Sequence, residues 1–308
     1  MKKTYSIAFI WLCILLVCGC TEKKHSDDKA IRIGILRGPS AIAFAEWMKE
    51  ETQLSGKNIK VFLMDSPDQL VASYIQNKTD LAVLPMITAA NLYNRGVDCH
   101  LLGCPIWGTL FIVERNVAKP NTRLLLFGAE TTPGILARAW LEKNGSQYHP
   151  DFAFNNAREV MAALLAHRAD AALLSEPFVS IALAKDSSLR IAADLNHLDG
   201  FDNGFAQTAL ICHTNMIAFS QSIDSLTASS CRSVNENPSA TILTLERQHL
   251  FPKGSLTSES IARCKIEYRD AATCNESVIS FLQLIMNYQP KAIGDKIPDD
   301  SFFKPTKR

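Results

Sequence analysis

Residues 69–85, QLVASYIQNKTDLAVLP, and residues 159–177, EVMAALLAHRADAALLSEP, follow one plan. In each, a helical pattern leads to a basic residue, Lys78 or Arg168, then to Asp80 or Asp170, then to a short apolar run and a proline. Apolar positions three and four apart read as helix, and a brief apolar run bounded by turn residues reads as a buried strand. Any two helix–strand units share part of this plan. The same order of aspartate, strand and proline at both places reads as two related lobes rather than one sheet.

The neighbouring segments keep that rhythm. IRIGIL precedes SAIAFAEWMKEET, IKVFLM precedes SPDQLVASYIQN, and DLAVLP precedes TAANLYNRG. Strands alternating with helices predict an α/β fold whose strands are covered on both faces. We expect a first lobe over 31–115 and a second over 116–210, beginning near KPNTRLLLFG and running through LRIAADL. A long strand is expected in GFAQTALICHTNMIAF, followed only by helical patterns. Helices without strands of their own must dock on an existing lobe, so 211–308 is read as a return to the first. The chain then crosses between lobes twice, near 112–120 and 203–212.

Composition excludes several classes. A chain of 308 residues that is 47% hydrophobic can bury a large core. Its formal charge is +1, and loss of Lys2 and Lys3 with a leader would take it to −1, which offers no basic field for nucleic acid. The seven histidines are scattered and no CxxC pair occurs, so neither a zinc site nor any other cofactor is expected. Cys99 with Cys104, and Cys264 with Cys274, are spaced for local disulfides, whereas Cys212 in TALICHT reads as core.

The first residues read as an export signal: Lys2 and Lys3, an apolar run from Ile7 to Val17, and Gly19 near its end. That run is too short to span a bilayer comfortably. The tetrad Val17, Cys18, Gly19, Cys20 resembles the bacterial lipobox. It implies a signal peptide over 1–19, cleavage before Cys20, and a solvated tether over 20–30. One acyl chain holds a protein marginally, whereas two or three on Cys20 make a durable membrane anchor. An ordinary secretory cut or a retained anchor is the alternative.

Four strand–helix junctions carry proline: LRGPSAIA, VLPMITAA, AETTPGIL and LLSEPFVS. Strand carboxyl ends and helix amino ends face the same crevice in α/β proteins, so these junctions predict a cleft between the lobes. The side chains offered there are Arg37, Ser40, Thr88, Thr131, Thr132 and Glu176, with Trp107 on the strand approaching the crossing. Arg37 reads either as a clamp for a carboxylate or sulfonate or as a solvated surface arginine. Trp107 suits stacking on a flat solute, or packing in the core. Glu176, at the end of a buried strand, must cap the next helix or meet a donor on a ligand.

These residues resemble the substrate-binding lipoproteins of bacterial ABC importers of the nitrate, sulfonate and thiamine-pyrimidine group. The carriers are the tetrad at Cys20, GPSAIA, DLAVLPMITAANLYNRG, TTPGILARAWLEKNG, AALLSEPFV and YQPKAIGDKIPDDSFF. Asp295 departs from the second glycine expected after Gly294. The resemblance implies a two-lobed type II periplasmic binding-protein fold. It places the pocket walls at Gly38 to Ser40, Pro85 to Thr88 (Met86 included), Thr131 to Gly134, and Glu176 with Pro177. It further implies a monomeric, non-enzymatic, exported and membrane-anchored receptor, on the periplasmic or extracellular face, that hands a small organic solute to an ABC permease and ATPase. A solute sensor would share every pocket feature, and an enzyme on the same fold would need a catalytic constellation these motifs do not assemble.

Overall fold

The computed structural model describes residues 30–303 apart from 199 and 202. The leader and Cys20 lie outside them. In chain order the strands are β1 Ile31–Leu36, β2 Gln53–Leu54, β3 Lys57–Met64, β4 Leu81–Pro85, β5 His100–Ile106, β6 Leu110–Glu114, β7 Thr122–Phe127, β8 Tyr148–Phe154, β9 Ala171–Ser175, β10 Arg190–Asp194, β11 Thr208–Cys212 and β12 Ile266–Asp270. They form two sheets, ordered β12-β5-β11-β4-β1-β3-β2 and β10-β6-β9-β7-β8. Both lie within the single compact unit Ile31–Arg308.

The helices that matter for the site are α1 Pro39–Ala43, α2 Pro67–Ile75, α3 Met86–Asn94, α4 Thr132–Asn144, α5 Ala157–Leu165 and α6 Phe178–Lys185. Each of α1 to α3 follows a strand of the first sheet, and each of α4 to α6 a strand of the second. The C-terminal part adds α7 Ser220–Glu236, α8 Pro238–Arg247, α9 Ser258–Arg263, α10 Ala271–Tyr288 and α11 Asp300–Phe303.

The two sheets repeat one arrangement. In the first, β1 pairs parallel with β3 and β4, and β11 lies antiparallel beside β4; in the second, β7 pairs parallel with β8 and β9, and β6 lies antiparallel beside β9. From Gln69 and Glu159 through Asp80 and Asp170 the repeat holds at an offset of ninety residues, and the closing prolines, Pro85 and Pro177, fall two residues out of that register. Helix α2 is capped by Ser66, whose side chain accepts from Gln69 N–H, and α5 by Asn156, which accepts from Glu159 N–H. Both helices end with a left-handed residue, Asn77 and His167, in a Schellman closure: Lys78 N–H reaches Ser73 O, and Arg168 N–H reaches Ala163 O, each at 2.9 to 3.0 Å. Asp80 then grips Arg32 through two side-chain hydrogen bonds, and Asp170 faces Arg115.

The expected boundaries need correction. β6 lies inside the segment assigned to the first lobe, yet it pairs with β9 and β10 of the second sheet. The chain therefore changes sheets at 107–109 and again at 195–207, earlier than the expected 112–120 and 203–212. The apolar run that continues through LFIV hides the change, because only Gly108 and Thr109 stand between Trp107 and Leu110. The C-terminal part is also not wholly helical: β12 closes the edge of the first sheet, antiparallel to β5. Its sequence, IEYRD, is short, and only Ile266 and Tyr268 turn toward the core.

The six described cysteines are free and buried, contrary to the two local bridges considered. Cys99 immediately precedes β5 and Cys104 lies within it. Five residues of extended chain span roughly 16 Å, well beyond disulfide reach. Between Cys264 and Cys274 stands the whole of β12.

Candidate functional site

A cavity of about 570 Å³ opens where the strand ends of both sheets meet the amino ends of helices. From the first sheet it takes Arg37, Pro39 and Ser40 of the β1–α1 junction, Pro67 and Asp68 of α2, Pro85 of β4, and Ile87 with Thr88 of α3. From the second it takes Phe127, Gly128, Thr131, Thr132 and Pro133 of the β7–α4 junction, Asn155 and Asn156 before α5, and Ser175 at the end of β9. Thr109 from one crossing, and Gln207 with Thr208 from the other, complete it. The two crossings are joined there, since the buried Thr109 hydroxyl donates to Gln207 Oε1 at 3.1 Å.

Proline explains part of this geometry. Pro39, Pro67 and Pro133 occupy the first turns of their helices, where a missing N–H costs nothing. First-turn N–H groups have no intrahelical acceptor and carry the positive end of the helix dipole. Amino ends from both sheets thus point hydrogen-bond donors and partial positive charge toward one space.

Two hydroxyls stand out. Thr132 Oγ1 and Thr208 Oγ1 are buried without a hydrogen-bond partner, their residues only 6% and 7% exposed. One belongs to the second sheet's wall and the other to the first's. Burying an unsatisfied hydroxyl is unfavourable, and a bound molecule removes the penalty. Between these poles Leu36, Ile87, Ile106, Leu110 and Phe127 supply an apolar lining.

The expected residues divide. Arg37, Ser40, Thr88, Thr131 and Thr132 line the cavity together. Arg37 sits at its margin, half exposed, with Nε 2.9 Å from Asp65 Oδ1. Thr131 donates its hydroxyl to Gly128 O at 3.0 Å. Gly38 only sets the turn: at φ 119° it is the N-cap of α1 and does not line the cavity. Met86, the first residue of α3, is fully buried in the core, its N–H held by Gln207 O.

Trp107 and Glu176 also lie off the cavity lining. The Trp107 indole is 1% exposed, donates to Glu267 O at 2.8 Å, and is covered by the Arg269 guanidinium 4.0 Å from the ring centre. It belongs to the crossing rather than to a stacking platform. Glu176 follows Ser175, and alternation along the strand turns it away from the side that Ser175 lines. Its carboxylate accepts from Ser180 N–H at 3.2 Å, from the Ser180 hydroxyl at 3.0 Å and from Arg263 Nε at 2.5 Å. Sequence reasoning missed Pro67, Asn155, Asn156, Gln207 and Thr208. The SPD and NNA caps that start α2 and α5 were the available signal for three of them.

Two sheets of the same arrangement, joined by two crossings and sharing one cavity at their strand ends, define the two-lobed type II periplasmic binding-protein fold. Over 91% of this chain and all of the other, it is 45% identical to an ABC transporter protein from Parabacteroides distasonis, with a TM-score of 0.87. The chain belongs to the substrate-binding proteins of ABC transporters. The fold alone is shared with the periplasmic aliphatic sulphonate binding protein SsuA of Escherichia coli (16% identity, TM-score 0.65, 88% of this chain and 92% of that one). The same holds for the alkanesulfonate-binding protein SsuA of Xanthomonas axonopodis pv. citri bound to MOPS (17%, 0.59, 88% and 95%). No family model and no curated protein matches the chain.

Proposed function

We propose that this protein captures a small organic solute in the cavity between its lobes and delivers it to an ABC permease and ATPase, tethered to the membrane through acyl chains on Cys20. The observation that carries the reading is the pair of unpartnered hydroxyls, Thr132 and Thr208, on opposite walls of one cavity. A solute that bonds to both holds the lobes together, which makes the closed state the ligand-selected one.

The volume of about 570 Å³ suits a small organic molecule. Apolar side chains at the centre fit a hydrocarbon or ring body, and converging helix amino ends fit an anionic or hydrogen-bond-accepting head. Sulfonates and pyrimidine or thiamine precursors combine these features.

A thermal-shift screen against sulfonates, pyrimidines, thiamine precursors and amino-acid derivatives tests the proposal. A ligand at one hundred times its dissociation constant stabilises the fold by about 2.7 kcal/mol. A shift reduced by Thr132→Val supports the site, and a shift untouched by changes at Thr132 and Thr208 removes it. Tethering is tested separately: Cys20→Ala yields an unacylated product, and a lipid-modified Cys20→Ala protein refutes the anchor.

A further inference from the structure

A short segment of the returning chain, residues 263–267, touches both crossings and the second lobe at once. It runs from the last residue of α9, which packs in the first lobe's core through Ile261, into β12 of the first sheet. Lys265 O accepts from Trp107 N–H at 3.1 Å, and Glu267 O accepts from the Trp107 indole, so the first crossing is held at two points. Lys265 Nζ lies 2.7 Å from His197 Nε2, on the second crossing. Arg263 then reaches over to the second lobe, with Nε on Glu176 and Nη2 2.7 Å from the Ser180 hydroxyl.

We propose that Arg263 is a positioning residue for solute capture: through Glu176 and Ser180 it fixes the angle between the lobes, and so the spacing of the cavity walls. The argument is geometric. The Glu176 carboxylate is fully buried, while the Arg263 side chain is 23% exposed. Glu176 N–H donates to Thr109 O at 3.0 Å, so the ion pair stands beside the pivot residues, and neither Glu176 nor Arg263 is part of the cavity lining. Ser175, the preceding residue, lines the cavity. A rotation of the lobes that parted Arg263 from Glu176 would leave a buried carboxylate with only Ser180, a costly state. Arginine's planar fork holds two acceptors in one orientation, which a point charge cannot do. The contact therefore opposes splaying and twisting about the crossings in the ligand-free protein.

This inference rests on the two-lobed fold and not on the identity of the solute, so its test needs none. Spin labels at the exposed positions Asp68 and Asn155, on opposite lips of the cavity, report the interlobe distance in ligand-free protein by pulsed electron resonance. The unsubstituted pair is expected to give one narrow distribution. Arg263→Ala should add a second population at longer distance, and Arg263→Lys, which keeps the charge but not the fork, an intermediate one. Narrow distributions superimposable on the parent in both variants would overturn the proposal. Should Arg263→Ala not fold, Arg263→Gln decides in its place, with a broadened distribution supporting and an unchanged one refuting. Failure here leaves the thermal-shift result on the solute site untouched.

Discussion

At Glu176, a fully buried side chain, burial raises the carboxyl's affinity for its proton above the ordinary value, and Arg263 with Ser180 only partly offsets this. A folded-state pKa raised above the unfolded one gives stability that is complete below the unfolded value of 4.5 and is lost as pH rises through the folded value. Glu176→Gln should therefore flatten the fall in melting temperature just above pH 4.5, and parallel curves for the two proteins would contradict this. Thr132→Val and Thr208→Val behave differently. Neither hydroxyl has a partner in the free protein, so stability should hold or rise slightly, while affinity for a solute found by screening should fall by about 0.5–1.5 kcal/mol, measured by calorimetry. The hydroxyls at Thr131 and Thr132 were legible from TTPG at a strand–helix junction. Glu176 was legible as a polar residue needing partners, but its partner Arg263 lies 87 positions away, and no local pattern announces that distance.

Among the elements, the matched helix ends are the plainest record of the repeat. Asn77 and His167 both adopt positive φ, 54° and 56°, where a side chain is strained. Asparagine's short amide can hydrogen-bond locally in that region, an advantage the bulkier histidine lacks. His167→Gly should raise unfolding free energy by about 0.5–1 kcal/mol in urea titration, and Asn77→Gly by less. A larger gain at Asn77 would show that something other than backbone strain governs these ends. The crossings hold the opposite kind of glycine. Gly204 has φ 87°, and a Cβ there would stand 2.1 Å from Trp107 O, backbone that cannot swing aside. Gly204→Ala should cost at least about 1–2 kcal/mol, and an unaltered denaturation midpoint would mean the crossings are looser than drawn. The helix and strand of each repeat were readable because periodicity is local. The sheet change at 107–109 was not, since β5 and β6 are both largely apolar strands and pairing partners leave no mark within them.

For the whole molecule, two lobes and the return of the C-terminal part to the first could be read from the order of strands and helices. β12 escaped because an edge strand needs only a few backbone bonds and little apolar character. The six described cysteines lie buried, free and far from thiolate formation, with Cys212 and Cys231 pushed up to about 12 by burial. Addition of dithiothreitol should leave the melting temperature where it is. A drop would reveal a bridge, and the strand spacing at Cys99 and Cys104 makes that outcome inconsistent with this fold.

The segment at residues 263–267 also sets a temporal order. A ribosome releases the amino-terminal half first, and both sheets have most of their strands before residue 263 is made. Until then the nascent lobes are joined by the two crossings and the Thr109–Gln207 pair between them, without the Arg263 contact. The last seventh of the polypeptide supplies the clasp, so assembly of the binding-ready molecule waits on the end of synthesis even though each lobe's own sheet does not.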